Sequence, residues 1–513
     1  MYRWILTSRM IAVLIIVILS LAIAACGGGN GEQTGPSHNG DVIDSPIDEE
    51  PILPTEDEDP VTPPEEEPAP APITSIELNV DRVDLKVDDT QSLTAVLHDA
   101  DGDLRTDQSV TWASEDVWVA TVDETGLVTA EGAGQTVVTA TLGNISASAQ
   151  VSVEKEGMTL KSISAGYYHT CGVTPDGKAY CWGSSTAGAL GNGDDSGWHV
   201  TSPQLVSGEH EWASVSAGRQ MTCGVTTSGD AYCWGAGSTG QLGNGGESSS
   251  ATPVPVAGGI KWSEVSAGYL NTCGVSMDGD AYCWGEGGSI VSSDARQLTP
   301  KLVSGGYAWI STSVAQRIGA SACGLSNSEK IYCWGRGAGY ELFNGKSTAE
   351  YEPIAVGAGR QWASIIVGPG NTCAITTEGE GYCVGRTSRG ETGTGSTESV
   401  QIEPALVAGG HQWRSFAIAN KHACGVTVEG NGYCWGEHSG AVGDGNEEAF
   451  FTVESVPVPV AGGLEWAEIS VGSGHSCGIT MAGAAYCWGN NGYGQLGMSG
   501  RGIRYQPEAV PAP

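Results

Sequence analysis

Positive charge is scarce in this chain. Its 513 residues include 23 Lys and Arg against 59 Asp and Glu, a formal net charge of −36. The deficit is general: residues 27–72 hold 13 acids and no Lys or Arg, residues 73–157 hold 16 acids and 4 bases, and residues 158–513 hold 30 acids and 17 bases. No segment offers a net positive field to phosphate, so nucleic acid is not an expected partner. Charged residues of both signs make up only 16 % of the chain while Gly numbers 77, which argues against long solvated helices and for short strands between turns. Catalytic signatures are lacking too. There is no metal-ligand spacing and no nucleophile motif, and the "GNG" segments lack the Lys-Ser or Lys-Thr of a phosphate cradle. "DADGD" at 99–103 reads as a solvated turn rather than a calcium loop. A non-enzyme without cofactor or metal is expected, and a monomer.

What is present begins at the N-terminus. "MYRWILTSRM" carries Arg3 and Arg9 ahead of the apolar run "IAVLIIVILSLAIAA", which is too short and wrongly flanked for a permanent span. The run ends in "IAAC" at 23–26, which resembles the lipobox of bacterial lipoprotein signal peptides. That resemblance implies removal of residues 1–25 and a lipid on Cys26, holding the chain to a membrane; Gly27 in place of Asp implies an outer-membrane or cell-surface destination. Residues 26–72 contain ten prolines, many acids and few large apolar side chains. They cannot offset the entropy of ordering and read as an extended, disordered tether.

Residues 73–157 change character to short alternating runs separated by Gly, Asp and Asn turns, the pattern of a β-sandwich. Trp112 is the expected anchor of its core. The phrase "VTWASEDVWVATVDETGLVTAEGAGQTVVTATL" resembles the bacterial immunoglobulin-like group 2 domain, which implies a stalk or adhesive module.

Everything from 158 to 513 is one phrase repeated seven times. The first cysteine of each pair stands at Cys171, Cys223, Cys273, Cys323, Cys373, Cys424 and Cys477, and the second at Cys181, Cys233, Cys283, Cys333, Cys383, Cys434 and Cys487. With Cys26 these account for all fifteen cysteines. If "PDG" at 175–177 is a three-residue hairpin loop closed by Gly177 in the left-handed region, Cys171 faces Cys181, Tyr180 faces Gly172 and Trp182 faces Thr170. In an exported chain this register predicts seven cross-strand disulfides. The fourth repeat has Glu329 where the others have Gly, so its turn is not predicted. His169, His422 and His475 precede cysteines and could begin zinc sites, but four of seven repeats replace the His and keep both cysteines, which favours disulfides.

A period of about 50 residues with several short strands per unit points to propeller blades. "SAGYYHTCGVTPDGKAYCWGSSTAGALGNG", "CWGAGSTGQLGNG" and "CWGNNGYGQLG" resemble RCC1 repeats. The resemblance implies an all-β protein: a seven-bladed RCC1-like β-propeller behind an N-terminal Ig-like β-sandwich. The C-terminal "QPEAV" at 506–510 is expected to pair into the first blade and close the ring. Val384 in place of Trp in the fifth repeat, and "GSIVSSDA" and "GYELFNG" in the third and fourth, predict irregular blades there.

Guanine-nucleotide exchange, the activity of the family's eukaryotic founder, is not expected of an exported acidic chain. The loops after each "CWG" vary most and offer Trp198, Tyr340, Arg386, Arg389, Phe450, Phe451, Arg504 and Tyr505 as candidate binding residues. The expected function is recognition or adhesion at the cell envelope, through an extracytoplasmic protein or glycan. Inhibition of a secreted or periplasmic enzyme is the alternative, by analogy with the RCC1-like β-lactamase inhibitor.

Overall fold

The computed structural model describes residues 70–513, apart from residues 88, 133, 155–156, 287–289, 291–295, 318–320, 397 and 450–451. The expected signal peptide, Cys26, the tether up to residue 69, and Phe450 and Phe451 lie outside the described residues. No helix among the described residues is long and apolar enough to cross a membrane.

The N-terminal body is built of strands alone. Its largest sheet orders Arg82–Lys86, Ile145–Glu154, Gly134–Leu142 and Thr111–Ser114, and two three-stranded sheets complete it. Alternating inward residues such as Val83, Val138 and Val151 form the core together with Leu93 and Val128. Trp112 does not anchor that core from its centre. It lies on the edge strand of its sheet and is half-buried, packing against the turn at Gly126. The "DADGD" turn closes on itself: Asp99 Oδ1 accepts the N–H groups of Asp101 and Asp103 at 3.1 and 3.0 Å.

Residues from 157 onward form seven four-stranded antiparallel sheets, each a meander of consecutive strands. The first is Ser162–Ala165, His169–Val173, Ala179–Ser184 and His199–Leu205. Each opening strand touches the opening strands of both neighbouring sheets, the seventh touching the first, so these strands are innermost and the sheets are blades around one axis.

The hairpin register is the one the turn predicts. Cys171 pairs with Cys181, Gly172 with Tyr180 and Thr170 with Trp182. Gly177 has φ +81°, and its N–H donates to the Thr174 carbonyl at 2.9 Å. All seven disulfides are formed, with Cα atoms 4.0–4.1 Å apart. The fourth repeat keeps the same turn: Glu329 adopts φ +58° and its N–H donates to Ser326 at 3.0 Å. The cross-strand pairing of Cys323 with Cys333 holds a non-glycine residue in the left-handed region.

The phrases that recur between hairpins join one blade to the next. In six blades the indole of the Cys-Trp-Gly tryptophan donates to a carbonyl in the Gly-rich turn of the preceding blade, for example Trp234 to Ala189 at 3.0 Å and Trp284 to Gln241 at 2.9 Å. The hydroxyl of the residue before the first cysteine of the same hairpin, which faces that tryptophan, joins it on the same oxygen, as Thr222 does on Ala189 and Thr272 on Gln241. The second glycine of that turn lies against the indole: a Cβ at Gly243 would stand 2.6 Å from Trp284 Nε1.

Blades four and five obey the same geometry by compensation rather than departing from it. Phe343 takes the place of that glycine at φ +60°, and Val384 takes the place of the facing tryptophan. Phe343 and Val384 share one buried cluster, and the phenyl ring meets Trp362 edge-on with centroids 5.6 Å apart. Both blades keep four strands, so the expected irregularity is absent there; most of "GSIVSSDA" in the third lies outside the described residues.

Ring closure differs from expectation. The C-terminal strand Ile503–Ala509 pairs with its own hairpin strand Ala485–Asn490 and completes the seventh blade. Closure comes instead from residues 157–160: Met158 N–H donates to Val510 at 2.7 Å and Leu160 N–H to Gly483 at 2.9 Å. Leu160 packs under Gly172 as Trp212 packs under Gly224 in the next blade. Trp182 and Thr170 then reach back to the Gln495 carbonyl at 2.9 and 2.8 Å.

Candidate functional site

A meander of four strands separates its connections onto two ends. The tight hairpin turns and the crossings to the next blade lie at one end. The links between first and second strands and the long loops after each Cys-Trp-Gly lie at the other. The second end is therefore the variable face, and the first-to-second links ring its axis because the opening strands are innermost.

Six of these links are three residues long, but the fourth runs from residue 315 to residue 320. The extra length carries Gln316 over the axis, where its Nε2 donates to the Ala217 carbonyl two blades away at 3.1 Å. Arg317 follows and donates to Pro369 at 3.4 Å. Its guanidinium lies beside that of Arg386: a Cβ on Gly370 would stand 2.9 Å from Arg317 Nη1 and 3.7 Å from Arg386 Cζ. Burial depresses the Arg317 pKa; the Glu341 charge opposes the shift, and the Arg386 and Arg336 charges add to it. Arg219 lies between two rings, 4.7 Å from the Tyr167 centroid and 4.2 Å from that of Tyr269. Arg219, Arg317 and Arg386, with Tyr167, Gln316 and Asn420, line a cavity of about 190 Å³. None of Arg219, Arg317, Arg336 and Arg386 has a carboxylate within 4 Å among the described residues.

A second cavity of about 290 Å³ adjoins it, sharing Tyr167. Tyr168 and Tyr493 meet there with centroids 4.4 Å apart and planes tilted by 40°, surrounded by Ser439, Ser473, Asn490 and Gln495. Ser439 Oγ is shielded from solvent without a hydrogen-bond partner. A locally cationic, tyrosine-walled mouth thus stands on the axis of a chain of net charge −36.

The residues singled out from sequence fall unevenly around it. Arg386 enters the mouth. Arg389 is paired with Glu437 at 2.8 Å, which Lys421 also contacts, and Arg504 is paired with Glu508 at 2.8 Å. Tyr340 is half-buried in a turn at φ +65°, and Tyr505 is half-buried with its carbonyl accepting from Gly445. Trp198 is 73 % exposed on the loop face, its carbonyl holding Ser185. Sequence reasoning missed Tyr167, Arg219, Tyr269, Arg317 and Arg336. For all but Arg336, which follows a Cys-Trp-Gly, the signal was available in the links, since only the fourth is lengthened and Tyr167, Arg219 and Tyr269 take the same place in the first three.

The three repeat histidines belong to the blade contacts rather than to this mouth. His169, His422 and His475 each reach a hydroxyl of the next blade, on Thr222, Ser476 and Thr170, at 2.8 to 2.9 Å. Because each hydroxyl also bonds a carbonyl, the imidazole Nε2 is the donor and the ring is neutral. Burial holds their pKa values down, to about 4 for His169 and about 3 for the other two.

Comparison with known proteins agrees with both bodies. Residues 72–153 match the bacterial Ig-like domain (group 2). Residues 160–189, 212–241 and 466–495, and residues 176–225 and 228–275, match the regulator of chromosome condensation (RCC1) repeat. The chain is 32 % identical over 155 residues to the human E3 ubiquitin-protein ligase HERC2, which is 29 % of this chain and 3 % of that protein. It is 30 % identical over 160 residues to the ultraviolet-B receptor UVR8 of Arabidopsis thaliana, 30 % of this chain and 36 % of the receptor. Thus it spans only a minor part of these relatives. Among solved structures, Prp20p from Saccharomyces cerevisiae superposes with a TM-score of 0.57 at 19 % identity, covering 69 % of this chain and 87 % of its own. Human WBSCR16 gives 0.58 at 18 % identity, covering 66 % and 94 %. Likeness at this identity establishes the propeller fold and nothing about ligand.

Proposed function

The chain carries a bacterial Ig-like domain of group 2 followed by RCC1 repeats folded as a seven-bladed propeller, and from that premise we propose that it is a non-catalytic recognition module of the bacterial cell envelope. Its loop face binds an extracytoplasmic protein or glycan. The observation that carries this reading is the asymmetry of the two faces. One has seven near-identical tight turns. The other holds the variable loops, an exposed Trp198 and the Arg- and Tyr-lined mouth. A rigid repeat ring with one specialised face is the form of a binding scaffold.

Seven disulfides are consistent with an extracytoplasmic compartment. On our reading, the lipobox-like "IAAC" anchors the chain through Cys26, and the acidic Pro-rich residues 27–72 hold it away from the bilayer at an outer-membrane or cell-surface position. Two or more acyl chains would make that attachment stable. The binding properties of yeast Prp20p to Gsp1p and histones are that protein's own. A second reading, inhibition of a secreted or periplasmic enzyme, is favoured by Trp198, the residue type that anchors tight protein interfaces.

The test replaces residues 315–320 by the three-residue link Gly-Tyr-Leu of the third blade, in the full chain with disulfides intact. Both proteins are used to capture envelope proteins, secreted proteins and a glycan panel. We expect saturable binding by the native chain and its loss in the shortened one. Equal binding by both would contradict a role for the axial mouth. One tight protein partner and no glycan would favour the inhibitor reading.

A further inference from the structure

The axial cavity and the one adjoining it toward the loops of the sixth and seventh blades have complementary chemistries that together describe a ligand. The first presents the guanidinium groups of Arg219, Arg317 and Arg386, none satisfied by a carboxylate among the described residues. Arginine forks bind oxyanions in bidentate fashion. The Glu341 carboxylate is turned to the Gly339 N–H at 2.5 Å, leaving the guanidinium groups in excess. Arg317 is half-buried beside Arg386, so its charge is incompletely hydrated and would gain from a bound anion.

The second cavity is walled by Tyr168 and Tyr493 and rimmed by hydroxyl and amide groups, with Ile503 the aliphatic member and Lys421, paired with Glu437, the one charged group. A protein anchor residue favours a dry apolar pocket. A ring with C–H faces and hydroxyl edges instead suits tyrosine faces bordered by Ser439, Ser473 and Asn490, and the unpartnered Ser439 Oγ is a group such an edge would satisfy. Tyr167 belongs to both cavities, so one ligand can occupy them in series.

We propose that the axial mouth is a binding site for an acidic oligosaccharide, with a sugar ring on Tyr168 and Tyr493 and the carboxylate of a neighbouring uronate sugar held by Arg317, Arg386 and Arg219. This rests on the recognition reading above and names its ligand class. Binding of an oligoanion to a chain of this net charge needs such a local reversal of sign, because charges beyond about 8–10 Å are screened at physiological salt.

The test is calorimetric titration of the full, oxidised chain with tetragalacturonate. Neutral galactotetraose, inorganic sulfate and a tetra-aspartate peptide serve as parallel probes. The site predicts saturable binding of tetragalacturonate, at least tenfold weaker binding of the neutral oligomer and of sulfate, and at least a tenfold loss in both R317Q and R386Q. R501Q, which removes an exposed cation from a loop of the same face, should bind as the native chain does. Unchanged melting temperatures establish that the variants are folded. No binding of tetragalacturonate, binding unaffected by R317Q and R386Q, or equal binding of sulfate would overturn the proposal. Preference for the peptide would assign the mouth to an acidic protein segment instead. If tetragalacturonate fails while capture by the loop face persists, this inference falls and the recognition reading stands; loss of both removes both.

Discussion

At the scale of single residues, buried titratable groups set opposing dependences on pH. The neutral histidines have folded pKa values far below the ordinary 6.5, so the unfolded chain takes up protons first as pH falls. Their contribution is complete above about pH 6.5 and is lost between there and pH 3–4. Glu264 and Glu468, on innermost strands, run the other way. Burial raises each to about 7, Glu264 accepting from Thr312 and Glu468 facing the Ile163 backbone of the next blade. A raised carboxyl contributes stability below its unfolded pKa that is lost as pH rises through 7. H422N, the residue type two other repeats use, should lower the melting temperature at pH 7 by losing the Ser476 contact, yet flatten the acid-side decline. E264Q with E468Q should gain in melting temperature relative to the native chain as pH goes from 5 to 8. Thermal unfolding across pH 3–8 reads both, and parallel curves for native and variants would refute these assignments. The exchange between Phe343 and Val384 gives a third prediction. V384W should destabilise by about 1–3 kcal/mol through overpacking, and adding F343G should restore much of it, whereas additive losses in the double-mutant cycle would deny the compensation.

Among elements, the cysteine hairpin was the most legible part of the sequence. Strand period 2 and a three-residue turn leave one register, and the repeat tested that register seven times. The link of a turn to the neighbouring blade was not legible, because Gly243 and Trp284 lie in different repeats and only packing makes them partners. Phe343 therefore looked like a departure when read in its own repeat alone. The mouth was half legible for a similar reason: Arg386 stands in a loop that plainly varies, while Arg219 stands in a three-residue link and Arg317 in the lengthened one, and both read as turns. Removing one disulfide, as in C273A with C283A, should cost about 2–3 kcal/mol by the loop-entropy argument and leave the other blades paired. Hydrogen exchange confined to the third blade and its neighbours would agree; global loss of protection would show the hairpin to be essential to the whole ring.

At the scale of the whole molecule, closure joins the chain's first propeller residues to its last blade, a contact between positions more than 300 residues apart that no local pattern announces. Leu160 replaces the tryptophan found at this place in the other blades, so the packed segment that closes the ring does not carry the mark of its counterparts, and the closing role was expected of residues 506–510 instead. M158P removes the N–H held by Val510 and should open the seam, raising hydrogen exchange first in the first and seventh blades. Uniform exchange in all blades would place closure elsewhere. The central claim is that the two faces of the ring are unequal in function, and charge-matched variants test it directly. One carries R219Q, R317Q and R386Q on the loop face; the other carries K178Q, K261Q and K330Q at the hairpin-turn end. Captured ligand should be retained by the hairpin-end variant and lost by the loop-face variant at equal melting temperature, whereas retention by both, or loss from the hairpin-end variant alone, would contradict it.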